Sequence, residues 1–369
     1  MTSSSTLRRV VDPVPVDILG EPAVDNPVTA LRSPTEIVFV TGASRSGTSM
    51  LARLLGAHSK IHAPHELHYF GELCDVRESQ QRLPELALLD LVATLLGRQA
   101  RGLWEGRPTV AEHETARRII DNIAAEDRTA AKAFSATLRA MAENEGKSIV
   151  CEQTPRNIFY AEQLLQWYPA ARVIHIIRDP RGVLASQKNR WKLRQLGARH
   201  LPLHEMLRNW VNYHPITMTR LWIKATEAAL RLSSHERVLV IRFEDLAADP
   251  EAGARQISDF IGVKFERPML DLPRWGSSNL THSSDEKGIS QQVGEEWRRS
   301  LPAAHALVCE RMAGSLMTRL GYSAEYDRKL NPIVMLPSLL AYPLHAAAVV
   351  LFNPGRAWIQ FQAMSGLRK

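Results

Sequence analysis

Ile37-Val38-Phe39-Val40-Thr41-Gly42-Ala43-Ser44-Arg45-Ser46-Gly47-Thr48-Ser49-Met50-Leu51 is the stretch on which the fold turns. Its opening apolar, largely β-branched run predicts a buried strand. Gly42 and Gly47 bracket a polar turn, and Met50, Leu51, Leu54 and Leu55 follow at helical spacing. Strand, loop and helix in that order converge backbone amides on an anion at the positive end of a helix. The spacing is that of a phosphate loop. In nucleotide hydrolases a lysine stands where this chain has Thr48, and it works beside magnesium. Arg45 supplies the cation here, and a planar guanidinium binding two phosphate or sulfate oxygens suits a donor with no triphosphate tail.

Outward from this loop, Ser148 to Cys151, Arg172 to Ile177 and Val238 to Phe243 read as further buried strands separated by helical stretches. That alternation predicts an α/β chain with parallel crossovers and a helix-covered central sheet. About a hundred residues separate the first two strands, far more than a crossover needs, and Leu86 to Leu96 and Thr115 to Met141 are helical in pattern. A helical insertion over about 75–147 is therefore expected near the substrate. Leu203 to Leu232 reads as one long helical segment, and Pro302 to Leu320 as another, closed by Gly321.

The chain has 369 residues, 45% hydrophobic and 23% charged, an ordinary globular composition large enough for one α/β core with appended helices. Its formal charge of +7 suits an anionic ligand, but no aromatic-basic constellation speaks for nucleic acid. Cys74, Cys151 and Cys309 imply no disulfide framework and favour a reducing, cytoplasmic setting. Residues 1–34 read as a flexible leader without a signal-peptide core. Residues 326–369 form an apolar tail. Within it, 333–352 lacks charge and approaches the roughly 20 residues of a bilayer span. Pro337 and Pro343 interrupt that run, so contact with a membrane surface is expected rather than a crossing.

The second telling stretch is Val173-Ile174-His175-Ile176-Ile177-Arg178-Asp179-Pro180-Arg181-Gly182-Val183-Leu184-Ala185-Ser186. Arg45-Ser46-Gly47-Thr48-Ser49 after an apolar strand resembles the 5′-phosphosulfate loop of sulfotransferases, and this second stretch resembles their 3′-phosphate site. The resemblance covers about Glu36 to Tyr322, with base and cofactor motifs similar to those of tyrosylprotein and carbohydrate sulfotransferases. It implies a three-layer P-loop NTPase-like fold, a sulfotransferase domain over 35–325, and 3′-phosphoadenosine-5′-phosphosulfate (PAPS) as donor with no metal required. It also implies that Arg178, Ser186 and Arg190 grip the 3′-phosphate. Ser186 and Arg190, four residues apart, share a face if the helix continues. Val238 to Leu246 resembles a later core strand and its turn. Lys287 and Arg298 resemble the cofactor-covering residues of the closing segment.

Sulfuryl transfer to a hydroxyl calls for alignment, charge stabilisation and a base. Glu66 aligns without a gap, counted from Arg45, with the catalytic glutamate of tyrosylprotein sulfotransferases, while His65 is the rival base because many cytosolic relatives use histidine. Partial burial is expected to raise the Glu66 pKa. His58, His62, His65 and His68 do not suggest a metal site, since Pro64 breaks the helix that would align them. Glu152 to Asn157 resembles a family segment that carries lysine before Thr-Pro; Gln153 stands there instead, leaving Arg45 and Arg156 as cations for the transferring oxygens. The acceptor is a hydroxyl of a carbohydrate, lipid, peptide or small molecule. A P-loop small-molecule kinase is the alternative, and Thr48 and the second anion site both count against it.

Overall fold

The computed structural model describes residues 35–103, 107–191, 203–271, 295–327, 329–355, 358 and 361. The chain order begins β1 (Ile37–Gly42), α1 (Thr48–Gly56) and β2 (Ile61–His62), then α2 (Glu85–Arg101), α3 (Val110–Asp121) and α4 (Ala130–Asn144). It continues through β3 (Ile149–Gln153), α5 (Ala161–Trp167), β4 (Ala171–Ile177), α6 (Pro180–Lys188), α7 (Leu203–Val211), α8 (Pro215–Arg231) and β5 (Val238–Arg242). The last elements are α9 (Phe243–Ala248), α10 (Pro250–Ile261), α11 (Trp297–Ser300), α12 (Ala303–Arg319) and α13 (Leu336–Phe352).

Among the described residues the strands pair in parallel, and five of them form one sheet in the order β2-β3-β1-β4-β5. Burial on both faces explains the continuous apolar runs. Alternate residues serve opposite layers: Ile37 and Phe39 face a core shared with α4, α5 and α8, whereas Val38 and Val40 face α1, α9 and α10. The result is the expected three-layer α/β sandwich. The chain leaves β1 toward β3 on one side and later crosses to β4 on the other, so the carboxyl ends of β1 and β4 flank a topological switch point. Open α/β sheets bind ligands at such points.

Several local expectations need correction. The segment Leu203 to Leu232 is two helices, because His214 turns extended and accepts the Ile216 amide, while Pro215 opens α8. Thr115 to Met141 is likewise divided, between α3 and α4, each started by a threonine that accepts a backbone amide. The two-residue strand β2 is too short to show a period in the sequence. Pro337 and Pro343 do not interrupt the apolar tail, which runs as α13 with Pro337 in its first turn and Pro343 inside. A first-turn proline has no amide to lose, and Pro343 removes only one hydrogen bond.

Helices α2, α3 and α4 share a small core of their own around Leu88, Val92, Ile119 and Ile120. A buried ionic network ties α6 to the segment after α12. Arg181 reaches Asp179 at 2.7 Å and Glu310 at 2.7 Å while its guanidinium lies 4.1 Å from the Trp297 ring centre. Glu310 also accepts the backbone amides of Glu325, Tyr326 and Asp327 at 2.8–2.9 Å.

Glu310 is fully enclosed, so Glu310→Ala, which leaves three amides unpaired and takes from buried Arg181 one of its two carboxylates, is expected to cost about 3–5 kcal/mol. Arg298→Ala, at a pair 41% exposed on the arginine side, is expected to cost under about 1 kcal/mol. Urea unfolding midpoints of the two variants measure the difference.

Candidate active site

The phosphate loop begins where β1 ends and closes on Gly47, whose φ of 104° caps α1. A side chain there would meet Phe243 Cδ2 at 2.8 Å, and one at Gly42 would meet the Ile176 carbonyl at 2.8 Å. Both glycines are therefore required by close approach, and Gly47 by its left-handed backbone as well. Arg45 adopts φ 78° without being glycine. Such strain is held only where surrounding contacts over-determine it. Those contacts come from the second motif. The Arg178 guanidinium donates to the Arg45 carbonyl at 3.3 Å, Arg45 Nε donates to Ser186 Oγ at 3.0 Å, and Gln187 donates to the Ser44 carbonyl at 3.1 Å.

The two motifs thus form one contiguous cluster. Arg178 and Ser186 are buried, Arg178 lying 4.7 Å from the Phe243 ring centre with its carbonyl accepting Trp222 Nε1 at 2.9 Å. Asp179 pairs with Arg181 and caps α6. Helix α6 stops at Lys188, so Arg190 lies beyond it and shares no helical face with Ser186. Its charge still acts in the cluster. Burial first, then the charges of Arg190 and Arg178, lower the Arg45 pKa to about 10, against the pull of Glu66. Burial likewise lowers the Arg178 pKa despite Glu244 and Asp179 nearby.

Glu66 hangs on the other side of the loop. Gln153, at the end of β3, donates from one amide nitrogen to Thr48 Oγ1 at 3.1 Å and to Glu66 Oε1 at 3.0 Å. His68 Nε2 lies 3.0 Å from Glu66 Oε2, and its other nitrogen lies 3.6 Å from Glu72, which also pairs with Arg156 at 3.3 Å. The Glu66 side chain keeps 37% of its surface exposed, enough for an acceptor to reach it. Its pKa is not raised as the sequence suggested. Burial pushes it up, but the hydrogen bond and charge of His68, the bond from Gln153 and the charge of Arg190 outweigh that and hold it at about 2. His65 is exposed, with its backbone amide on Gln99.

Other predicted residues fall into place unevenly. Ser46 and Thr48 are buried in the loop and Ser49 is exposed on the first turn of α1. Arg156 is engaged by Glu72. Arg298 sits on α11 beside Glu295 and Glu325, with its guanidinium 4.9 Å from the Trp297 ring centre. Lys287 lies outside the described residues. Among the described residues no group of three or more His, Cys, Asp or Glu is arranged to hold a metal ion. The sequence reading overlooked Gln153 as a bridge, His68 as the partner of Glu66, and Phe243 beneath Gly47. It also missed Glu152, fully buried, which accepts Thr154 Oγ1 at 2.6 Å and Asn157 Nδ2 at 2.7 Å. A charged residue in an apolar strand was the available signal for Glu152; nothing local signalled the others.

The chemistry of the donor set fits an anion with more than one charge. Ser46 Oγ is buried without a hydrogen-bond partner among the described residues. Such an orphan costs stability unless a ligand satisfies it. Three arginines raise one another's cost of ionisation, and a dianion removes that cost.

Burial, with the charge of Glu66 added, pushes the Glu152 carboxyl from its ordinary 4.5 to about 7 against the bonds from Thr154 and Asn157. Between those values the folded chain holds a proton that the unfolded chain has released, so the stability this carboxyl contributes is complete below pH 4.5 and is lost as pH climbs through 7. His175, His305 and His345, whose pKa values desolvation lowers, push stability the other way over the same range but do so equally in parent and variant. The urea midpoint of the parent is therefore expected to fall relative to that of Glu152→Gln as pH climbs through this window. An identical slope in both would remove Glu152 as its source.

A profile described as "Sulfotransferase family" matches residues 37–267. Nodulation protein NoeE of Sinorhizobium fredii is 26% identical over 78% of this chain and 66% of its own length. Human carbohydrate sulfotransferase 3 is 30% identical over 42% of this chain and 34% of its own. The chain thus spans at most about two thirds of these relatives. A solved sulfotransferase domain from the curacin biosynthetic pathway covers 80% of this chain and is itself wholly covered, at 19% identity and a TM-score of 0.46. With the profile spanning more than half of the chain and the phosphate loop and second anion motif both inside it, this protein belongs to the sulfotransferase family.

Proposed function

We propose that the chain transfers a sulfuryl group from PAPS to a hydroxyl, with Glu66 as the base. The observation that supports this most directly is the convergence of the phosphate loop with Arg45, Arg178, Ser186 and Arg190 beside Glu66. ATP offers nothing at its 3′-oxygen for a second anion site, and Thr48 occupies the place of the kinase lysine, its hydroxyl taken by Gln153. A kinase reading therefore has less to stand on. The relatives named carbohydrate sulfotransferases make a sugar hydroxyl the first acceptor to test. Cys74, Cys151 and Cys309 are free thiols, which supports a reducing compartment.

Each residue then has a physical task. The amides at the start of α1 and the Ser46 hydroxyl bind the 5′ anion, and Arg178 and Ser186 hold the 3′-phosphate. Arg45, pinned by Ser186 and by its own carbonyl, joins the two anion sites. Bound PAPS supplies an activated sulfuryl group with a phosphate as leaving group. Gln153 fixes Glu66 relative to the loop, so that the base meets an acceptor hydroxyl from a set direction. When an anion answers the charge of Arg190, one cause of the low Glu66 pKa disappears and the carboxylate becomes a better base.

Calorimetry with adenosine 3′,5′-bisphosphate tests the donor. Binding to the parent chain is expected, weakened about tenfold or more in Ser186→Ala and further in Arg178→Ala, since a charge-assisted bond is worth more than a neutral one. Glu66→Gln is expected to keep nucleotide affinity while labelled-sulfate transfer falls about 10²–10⁴-fold. Absent nucleotide binding, or binding indifferent to Arg178, would sink the donor assignment; full turnover by Glu66→Gln would sink only the base.

A further inference from the structure

Helix α13 is largely apolar, and its two faces meet different surroundings. The helical stretch Pro332–Phe352 has mean hydropathy 1.8 in its most apolar window, of which only 6% is buried. Tyr342, His345 and Val349, at i, i+3 and i+7, turn toward the catalytic domain, and Asn353 continues the same face. Arg220 donates to Tyr342 Oη at 3.2 Å, the His345 and His214 rings lie 4.7 Å apart, Val349 is buried, and Arg208 donates to Asn353 at 2.6 Å. Leu336, Leu340, Leu344 and Leu351 lie on the opposite face, Leu344 77% and Leu351 80% exposed. Helix α7, which packs against α13, adds exposed Leu207 and Trp210.

We propose that this face of α7 and α13 docks on an anionic lipid bilayer, with α13 lying flat in the interface and its polar face held by the catalytic domain. The charge pattern singles out lipid. After Asp327 the chain carries no acidic residue, whereas Arg328, Lys329, Arg356, Arg368 and Lys369 flank the apolar stretch on both sides. Cations next in sequence to an exposed apolar helix match anionic headgroups around acyl chains. A crossing helix would have to abandon Arg208, Arg220 and His214 and carry Tyr342 and His345 into hydrocarbon around the amide missing at Pro343. Exposed Trp210 is the residue type favoured where hydrocarbon meets headgroups.

Flotation of the full chain with vesicles tests this. It is expected to rise with vesicles of equal parts phosphatidylcholine and phosphatidylglycerol and to remain behind with phosphatidylcholine alone. Leu340→Asp combined with Leu344→Asp is expected to lower the bound fraction about tenfold or more, with an unchanged urea midpoint. On the parent chain, brominated lipid is expected to quench tryptophan emission, less so in Trp210→Phe. The proposal is overturned if the parent chain does not float, if it floats equally with and without anionic lipid, or if no quenching occurs. It is overturned as well if carbonate cannot strip the chain from vesicles, which means a span, or if light scattering finds a dimer that does not bind lipid.

Discussion

Parallel pairing of β1 with β4 brings two chain reversals together, and the site depends on that adjacency. The register sets Gly42 beside Ile176, so the loop after one strand and the arginine after the other emerge at the same edge. From there Arg178 reaches the Arg45 carbonyl and Arg45 reaches Ser186. Even the glycines follow from it, since the Ile176 carbonyl leaves no room for a Cβ at Gly42. A strand order that separated β1 from β4 would leave two unrelated basic turns.

That adjacency has an electrostatic cost. Arg45 and Arg178 are drawn into a partly dry cleft with Arg190 close by, and like charges in low dielectric oppose one another. Glu66 and Glu244 offset part of this, which is one reason Glu66 stays ionised although it is buried from bulk water on several sides. The site is thus preorganised for negative charge, because its donors are already aimed and need little rearrangement when an anion arrives. Glu66 and Glu152 divide their roles through environment: one carboxyl takes hydrogen bonds and a neighbouring cation and stays low, the other is sealed in the sheet and rises to about 7.

Support for the cleft comes from well outside it. The Arg181 network fastens the residues after α12 to the start of α6, the helix that carries Ser186. Gln153 ties the end of β3 to both the loop and Glu66. A lysine at that position, as the family pattern would have, would bring a further cation to the cluster; the neutral amide gives alignment without adding charge.

The chain's own order of residues determined the strand-loop-helix unit, the buried parallel strands and both anion motifs, because each rests on periodicity or turn chemistry within a dozen residues. Arg45, Ser46, Arg178 and Ser186 were legible for that reason. So was Glu66, through its distance from Arg45. Tertiary structure alone decided what these residues do to one another. Gln153 and Thr48 are 105 residues apart along the chain and Arg45 and Ser186 are 141 apart, and no local pattern encodes contacts made across a sheet. The low pKa of Glu66 is of the same kind, since burial was foreseeable from sequence but the opposing pull of His68, Gln153 and Arg190 arises only where separate segments meet. The break before Pro215 rests on an extended His214 that caps the new helix, and α13 continues through Pro343 for the loss of one amide donor, so the prolines alone foretold neither where a helix would stop nor where it would run on.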